Sequence, residues 1–262
     1  MPPKPSVNDP VLGPLTDDLL TPDVRVYQRL DGHRFSSDDV ATAFVAWSTC
    51  PEPSRVLDLG CGLGSVLLLL AWKMPEASLV GIEVQDVSFA LLERNVARNG
   101  LSSRVSIRHG DLRDPEASSN LGTGFDLVTG TPPYFPPGAA IDADDAQRAH
   151  ARIEYRGGVE AYVAAAAPRL APHGTFVLCG DARASSRVDV AANHHGLCVR
   201  ARCDVFPRAG AQALFAIWTL GFEARALEVS SMTLRDGAGM PTEDADRLRM
   251  FSGFPSLAAK SG

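Results

Sequence analysis

A glycine-rich segment, VLDLGCGLGS at residues 56–65, constrains the fold of this chain more than any other feature. Its first residues belong to a predicted short buried strand, Arg55 to Leu59, and its last residue begins a predicted helix, Ser65 to Lys73. Glycines in such a turn let the backbone bend sharply and approach a ligand closely. The helix start presents N–H groups without intrahelical partners. The segment therefore indicates a ligand site between a strand and a helix.

Apolar runs and helical patterns alternate along most of the chain, which predicts parallel strands joined by crossover helices. The expected strands lie at residues 79–84, 105–107, 125–129 and 175–179, and the expected helices at 87–98, 159–170 and 186–194. Two further β-rich runs, Val199 to Phe206 and Ala213 to Leu220, are separated only by PRAGAQ and must be antiparallel. We predict an α/β fold with a doubly wound sheet, mostly parallel with a C-terminal antiparallel hairpin. This arrangement resembles the seven-stranded, Rossmann-like methyltransferase sheet more than a dehydrogenase.

The domain organisation follows from the ends of the chain. A proline-rich start predicts a flexible N-terminal arm over residues 1–24, followed by one domain over 25–257 and a frayed tail over 258–262. The five cysteines form no C-x-x-C pair, which disfavours a zinc ribbon or a disulfide scaffold. Together with the lack of a long apolar run or a signal-peptide core, this predicts a cytoplasmic protein with no membrane partner and no metal.

The order of residues in the glycine segment discriminates between two cofactor classes. Dinucleotide sites use G-x-G-x-x-G above a pyrophosphate, whereas this chain has G-x-G-x-G preceded by Asp58. A carboxylate at the strand end would repel pyrophosphate but suits the ammonium group of a methionine moiety. The segment therefore favours S-adenosylmethionine (SAM) over NAD. A tight turn that binds no ligand is the alternative.

Two further carboxylates extend the predicted cofactor site. Glu83 ends the second strand, where it would accept hydrogen bonds from a ribose diol, a role that serves NAD and SAM equally. Asp111 follows the third strand and would accept from an adenine amino group, with Leu112 against the adenine face; an ordinary turn residue is the alternative reading of Asp111. The expected cofactor-binding set of these strand ends is Asp58, Gly60, Cys61, Gly62, Gly64, Glu83, Val84, Asp111 and Leu112.

The fourth strand ends in FDLVTGTPPYF, which predicts a site for a planar amine. Pro132 and Pro133 remove two backbone donors and stiffen the chain, which leaves carbonyl acceptors near the crevice. Tyr134 offers a ring that stacks on a planar base, and Phe135 adds an apolar wall. Hydrogen bonds from the amine to protein oxygens favour a more nucleophilic nitrogen, so positioning and electrostatics supply the catalysis. A rigid loop after a strand is the alternative.

With this motif the chain resembles the amino-methyltransferases that carry Asn-Pro-Pro-Tyr or Asp-Pro-Pro-Tyr after the same strand. It looks most like the bacterial tRNA(Val) adenine-N(6) methyltransferases. The resemblance extends over YQRLDGHRFSSDDVATAFVAW (27–47), AHARIEY (149–155) and MTLRDGAGMPTEDADRL near the C-terminus. It implies methyl transfer from SAM to the exocyclic amine of adenine in tRNA. It also implies that the segment around Arg34 and Phe35 closes over the cofactor, which makes Ser36 and Asp38 candidates as well, although either serine at 36–37 would also serve as a helix cap.

Thr131 departs from the family motif, since it stands where the family has Asn or Asp. Its hydroxyl still accepts one hydrogen bond but offers no amide or carboxylate oxygen. The predicted catalytic residues are Thr131, Pro132, Pro133 and Tyr134. The departure keeps two alternatives open: a methyltransferase acting on a protein glutamine or a small-molecule amine, and a catalytically weak module that binds SAM or RNA.

Arginines after the motif predict a local basic surface, although the formal net charge of −6 disfavours indiscriminate binding to nucleic acid. Arginine suits phosphate contacts and base stacking. The predicted substrate-binding residues are Phe135, Arg148, Arg152 and Arg208. Asp142, Asp144 and Asp145 precede this group, so a solvated charged loop is the alternative.

Overall fold

The computed structural model describes residues 7–136, 138 and 145–257. Its strands are β1 Val7–Asp9, β2 Gly13–Leu19, β3 Arg25–Arg29, β4 Arg55–Leu59, β5 Ser78–Glu83, β6 Val105–His109, β7 Phe125–Gly130, β8 Leu170–Asp181, β9 Cys198–Phe206, β10 Phe215–Gly221 and β11 Glu228–Thr233. Its α-helices are α1 Ser37–Thr49, α2 Ser65–Lys73, α3 Asp86–Arg98, α4 Pro115–Ser119, α5 Ala146–Arg152, α6 Val159–Ala166, α7 Ser185–His194 and α8 Glu243–Phe251. The expected tail, the first six residues of the expected arm, Asp142 and Asp144 lie outside the described residues.

The main sheet has the strand order β11-β9-β10-β8-β7-β4-β5-β6. Strands β8, β7, β4, β5 and β6 pair in parallel, and β10 pairs antiparallel with both β8 and β9. The α/β class, the parallel sheet and the antiparallel hairpin are thus confirmed. The sheet has eight strands rather than seven, because β11 adds in parallel to the edge strand β9. The sequence analysis missed β11 because most of its EVSSMT residues are exposed and carry no apolar alternation.

The central sheet is buried on both faces. Along β4, Val56 packs into a core with α1, α2 and α3, whereas Leu57 packs into a second core with α6 and α7. Helix α2 begins with seven consecutive buried residues, which explains why its sequence, SVLLLLA, is apolar on every side. This double burial keeps the carboxyl ends of the parallel strands in fixed register, where a ligand crevice forms.

The N-terminal residues form a small sheet of their own. Strands β1, β2 and β3 pair antiparallel, and Leu15 is 1% exposed. The flexible arm expected over residues 1–24 is therefore wrong for residues 7–19, because this stretch contains two strands despite its prolines. Asn95 of α3 fastens this sheet to the glycine segment: its Oδ1 accepts from Tyr27 N at 2.7 Å, and its Nδ2 donates to Leu63 O at 3.0 Å. Within the described ranges, no helix combines the length and apolarity that crossing a bilayer demands.

Candidate active site

A crevice opens at the carboxyl ends of β4, β5 and β7, with a cavity of about 220 Å³. The loops that follow these three strands line it, together with the segment before α1 and the end of α5. Parallel α/β sheets bind ligands at this edge because the strand ends and helix starts converge there. The crevice therefore joins the predicted cofactor loop and the Pro-Pro-Tyr motif in one cavity.

The turn after β4 depends on glycine. Gly60, Gly62 and Gly64 have positive φ angles of 60°, 56° and 97°, a region that side chains disfavour. A Cβ atom on Gly60 would also lie 2.0 Å from the hydroxyl oxygen of Tyr162. At Gly62 a Cβ would meet no atom within 4 Å, so the backbone there faces open space. The turn thus exposes main chain to the crevice before α2 begins.

Asp58 supplies a buried carboxylate with one unused oxygen. Its residue is 2% exposed, and its Oδ1 accepts a hydrogen bond from Thr129 Oγ1 at 2.8 Å. Its Oδ2 has no hydrogen-bond partner among the described residues. Burial raises the pKa of Asp58 to about 7. A buried carboxylate oxygen without a partner is costly unless a ligand completes it, and a cationic ligand suits it best.

Other carboxylates line the same wall of the crevice. Glu83 accepts from Gly62 N at 2.8 Å and from Gln85 N at 2.7 Å, so the main chain fixes its position. Burial raises the pKa of Glu83. Asp39, which the sequence analysis overlooked, also lines the crevice; burial and its neighbour Asp38 raise its pKa to about 7. Five carboxylates line this one cavity, which fits a ligand with an ammonium and a sulfonium group, as SAM has.

Asp111 reaches the crevice but already has a partner. Arg113 donates from Nη2 to Asp111 Oδ2 at 2.7 Å and from Nε to Oδ1 at 3.0 Å. This pairing lowers the pKa of Asp111. The expected hydrogen bond from an adenine amino group would therefore compete with Arg113, a neighbour that the sequence analysis did not consider. Leu112 lies beside it in the crevice wall.

The Pro-Pro-Tyr segment also lines the crevice. The Tyr134 hydroxyl donates to Asp38 Oδ2 at 2.8 Å and lies 3.1 Å from Cys179 Sγ. Thr131 Oγ1 is buried and has no hydrogen-bond partner in the described part of the chain. Phe135 is bonded to the end of α5, because its N–H donates to Arg152 O at 3.0 Å. A buried hydroxyl without a partner thus lies in the wall of the cavity.

The structure brings most of the predicted site residues together. Those lining the crevice are Phe35, Asp58, Gly60, Cys61, Gly62, Glu83, Val84, Asp111, Leu112, Thr131, Pro132, Pro133, Tyr134, Phe135 and Arg152. Four predicted residues lie outside the lining: Arg34, Gly64, Arg148 and Arg208.

The residues outside the lining have identifiable positions. Arg34 turns away from the crevice because its guanidinium donates to Asp18 Oδ2 and to Thr16 Oγ1, both at 2.8 Å. Gly64 caps the start of α2. Arg208 is exposed on the turn after β9, remote in sequence from every segment that forms the crevice. Arg34 was expected to contact the cofactor, but its side chain pairs with β2 instead.

Four basic side chains also line the crevice. Arg152, Arg156, His33 and His150 all line it. Neither arginine forms an ion pair with a carboxylate of the described residues, whereas Arg187, for example, pairs with Glu154 and Glu160. Burial lowers the pKa of His33, which favours its neutral form. His33 was missed, although it lies in the 27–47 segment that carried the resemblance.

The Rossmann-like sheet, the glycine turn and the acidic crevice define a SAM-dependent methyltransferase. Residues 56–153 match the family model described as "Methyltransferase domain". The chain belongs to the tRNA1(Val) (adenine-N6)-methyltransferase family. A member from Aeromonas salmonicida is 31% identical over 200 residues, which cover 74% of this chain and 80% of that protein.

Other comparisons differ in how much they cover. A protein from Porphyromonas gingivalis named tRNA1(Val) (adenine(37)-N6)-methyltransferase is 34% identical over 48% of this chain, which spans about half (49%) of that protein's length. A ribosomal protein uL3 glutamine methyltransferase from Bradyrhizobium diazoefficiens is 29% identical over 54% of this chain and 42% of its own length. The crystal structure of a predicted O-methyltransferase from Agrobacterium tumefaciens shares the fold, with a TM-score of 0.62, 17% identity, and coverage of 84% of this chain and 98% of its own.

Proposed function

We propose that this protein transfers the methyl group of SAM to the exocyclic amino nitrogen of adenine in tRNA. The observation that carries the proposal is a pair of buried oxygens, without partners among the described residues, that belong to two residues lining one cavity at the ends of the adjacent strands β4 and β7. Asp58 Oδ2 lies on the cofactor side and Thr131 Oγ1 on the Pro-Pro-Tyr side. A cation bound at the first and an amine bound at the second would be held together for a methyl transfer.

The cofactor side of the crevice would bind SAM through charge and main-chain contacts. When bound, SAM supplies an electrophilic methyl group on its sulfonium. Asp58 would hold the cationic methionine end, and the Glu83 carboxylate would accept from the ribose hydroxyls. Gly60 and Gly62 would let the ligand lie against the backbone. Leu112 would cover the adenine face.

The acceptor side would position the amine. Thr131 Oγ1 would accept a hydrogen bond from one N–H of the amine and so favour the nucleophilic form of the nitrogen. Pro132 and Pro133 have no backbone N–H, so neither would donate a hydrogen bond to the nitrogen lone pair of the amine. The Tyr134 ring would contact the base while its hydroxyl stays bonded to Asp38. Alignment and fixed dipoles of this kind supply much of the catalysis of a reaction between two bound partners.

The distribution of charge supports a polyanionic substrate. Carboxylates line the crevice, and Arg152 and Arg156 line it as well without forming an ion pair with a carboxylate in the described part of the chain. Arginine suits phosphate, since its planar fork matches two oxygens. This local arrangement offsets the net charge of −6. The names of the relatives from P. gingivalis and A. salmonicida support tRNA and adenine as well.

A methylation assay tests the proposal directly. The protein is incubated with methyl-labelled SAM and with tRNA that lacks the modification, and the RNA is digested to nucleosides. We expect label in N6-methyladenosine. Asp58→Asn should remove the signal, whereas Asp189→Asn, on the exposed surface of α7, should leave it unchanged.

The same assay addresses the second candidate. Because one relative is named a glutamine methyltransferase, a protein amide is the second candidate for the methyl acceptor. Unmodified ribosomal proteins and free adenosine are therefore offered in parallel reactions. Label in a glutamine side chain, with none in RNA, would overturn the tRNA proposal and identify the glutamine amide as the methyl acceptor.

A further inference from the structure

Unpartnered polar atoms are concentrated in the crevice. Five buried side-chain nitrogen or oxygen atoms of the described residues have no hydrogen-bond partner. Three of them belong to residues that line this one cavity: Asp58, Thr131 and His150. Buried polar groups are almost always hydrogen-bonded, so a cluster of exceptions in a cavity indicates that a ligand completes them. The proposed function uses the first two atoms and leaves His150 Nδ1 without a role.

His150 is fixed relative to the Pro-Pro-Tyr segment. It lies in the last turn of α5, and the chain just after this helix is bonded to Phe135 twice. Phe135 N donates to Arg152 O at 3.0 Å, and Glu154 N donates to Phe135 O at 2.8 Å. The imidazole also packs edge-on against Tyr155, with 5.2 Å between the ring centroids. The position of His150 is therefore set by the same backbone that carries the acceptor motif.

We propose that His150 reads the target base, with its Nδ1–H donating to an adenine ring nitrogen near the amine, N1 or N7. This inference rests on the proposed function. A neutral imidazole carries one N–H donor, and adenine presents a ring-nitrogen acceptor on either side of its amino group. Thr131 would hold the amine while His150 holds the ring, so the two contacts fix the orientation of the base. Guanine presents a carbonyl in place of the amine, so it offers no N–H there for Thr131 to accept, and its N1 carries an N–H that cannot accept from His150; its N7 accepts as adenine N7 does.

A cycle of protein and substrate changes tests this role. Wild type, His150→Phe and His150→Asn are assayed on RNAs that carry adenine, 1-deazaadenine or 7-deazaadenine at the methylated position. We expect wild type to lose about tenfold to a hundredfold in kcat/KM on one of the two analogues, the loss typical of one buried group left unpaired. His150→Phe should show a similar loss on adenine and no further loss on that analogue. His150→Asn, which keeps an N–H donor, should retain part of the activity.

The controls separate a reading role from a structural one. SAM affinity measured by calorimetry should be unchanged in both variants, since a folded cofactor site is then intact. His173→Phe, at a side chain that is 87% exposed, should behave as wild type. Equal losses for His150→Phe on all three RNAs would overturn the role of His150 alone. Absence of any methylation by wild type would overturn the proposed function, and the role of His150 with it.

Discussion

Tyr134 and Asp38 are joined by a hydrogen bond of 2.8 Å from the phenol to Asp38 Oδ2. The bond connects the Pro-Pro-Tyr segment to the first turn of α1, and both residues line the crevice. Burial, with the nearby Cys179 and Asp38, raises the pKa of Tyr134 well above its usual value, so the phenol stays protonated and donates at neutral pH. The hydrogen bond thereby links the Pro-Pro-Tyr segment to the start of α1, the helix that precedes the cofactor loop in the chain.

Tyr134→Phe should lower kcat/KM for the RNA by about tenfold, the loss expected for one hydrogen bond of about 1 to 1.5 kcal/mol. The ring would remain, but the acceptor segment would lose its tether to Asp38. Steady-state kinetics with tRNA measure the effect. Tyr27→Phe serves as the control, because that hydroxyl bonds Arg98 outside the crevice. An unchanged rate for Tyr134→Phe would show that the tether has no bearing on the reaction.

Thr131→Asn should raise kcat by about tenfold or more, because an amide oxygen is a stronger acceptor for the amine than a hydroxyl. Thr131→Val has the same shape without the hydroxyl and should lower kcat. SAM affinity, measured by calorimetry, should be the same in both variants. If SAM binds while neither substitution alters the rate, the chain is better described as a binding module than as an enzyme.

The stability contributed by Asp58 should fall as the pH rises. Its pKa is 3.8 in the unfolded reference and about 7 in the folded chain, so between these values the folded state holds the extra proton. The free energy of unfolding due to this group is therefore fully present below about pH 4 and lost as pH rises through about 7. The melting temperature of wild type minus that of Asp58→Asn, measured from pH 5 to pH 8, should decrease.

A bound cation should have the opposite pH dependence, because it favours the ionised Asp58 carboxylate. The increase in wild-type melting temperature on adding SAM should thus be larger at pH 8 than at pH 5.5. S-adenosylhomocysteine lacks the sulfonium charge but keeps the ammonium group assigned to Asp58, so the shift that it causes should show the same pH dependence. Parallel curves for wild type and Asp58→Asn, with and without SAM, would contradict the assignment of Asp58 to the cofactor.

Arg152→Gln should weaken RNA binding and reduce its dependence on salt. Loss of one phosphate contact lowers the slope of log affinity against log salt by about 0.7 to 1. Filter binding of tRNA at several salt concentrations measures this slope. Arg225→Gln, at a side chain that pairs with Glu223 on the exposed surface, should keep the wild-type slope. An equal slope for both variants would show that Arg152 contacts no phosphate of the RNA.

Several elements could be predicted because their signals are local. The strand at Arg55–Leu59 and the helix at Ser65–Lys73 match the structure residue for residue. The antiparallel hairpin followed from the short segment between β9 and β10. The expected helix over 159–170 instead ends at Ala166, since Pro168 interrupts it and a 3-10 turn leads into β8. Where short polar strands depend on pairing, as in β2 and β11, the local pattern carried too little information.

The sequence by itself determined the glycine turn, the carboxylates at the strand ends and the Pro-Pro-Tyr segment, because backbone conformation and hydrophobic period are properties of neighbouring residues. Only the tertiary structure decided which side chains meet across the crevice. It paired Arg34 with Asp18, joined Tyr134 to Asp38, and left His150 Nδ1 without a hydrogen-bond partner among the described residues. Such partners are chosen by packing between segments far apart in the chain, and no local pattern encodes that choice.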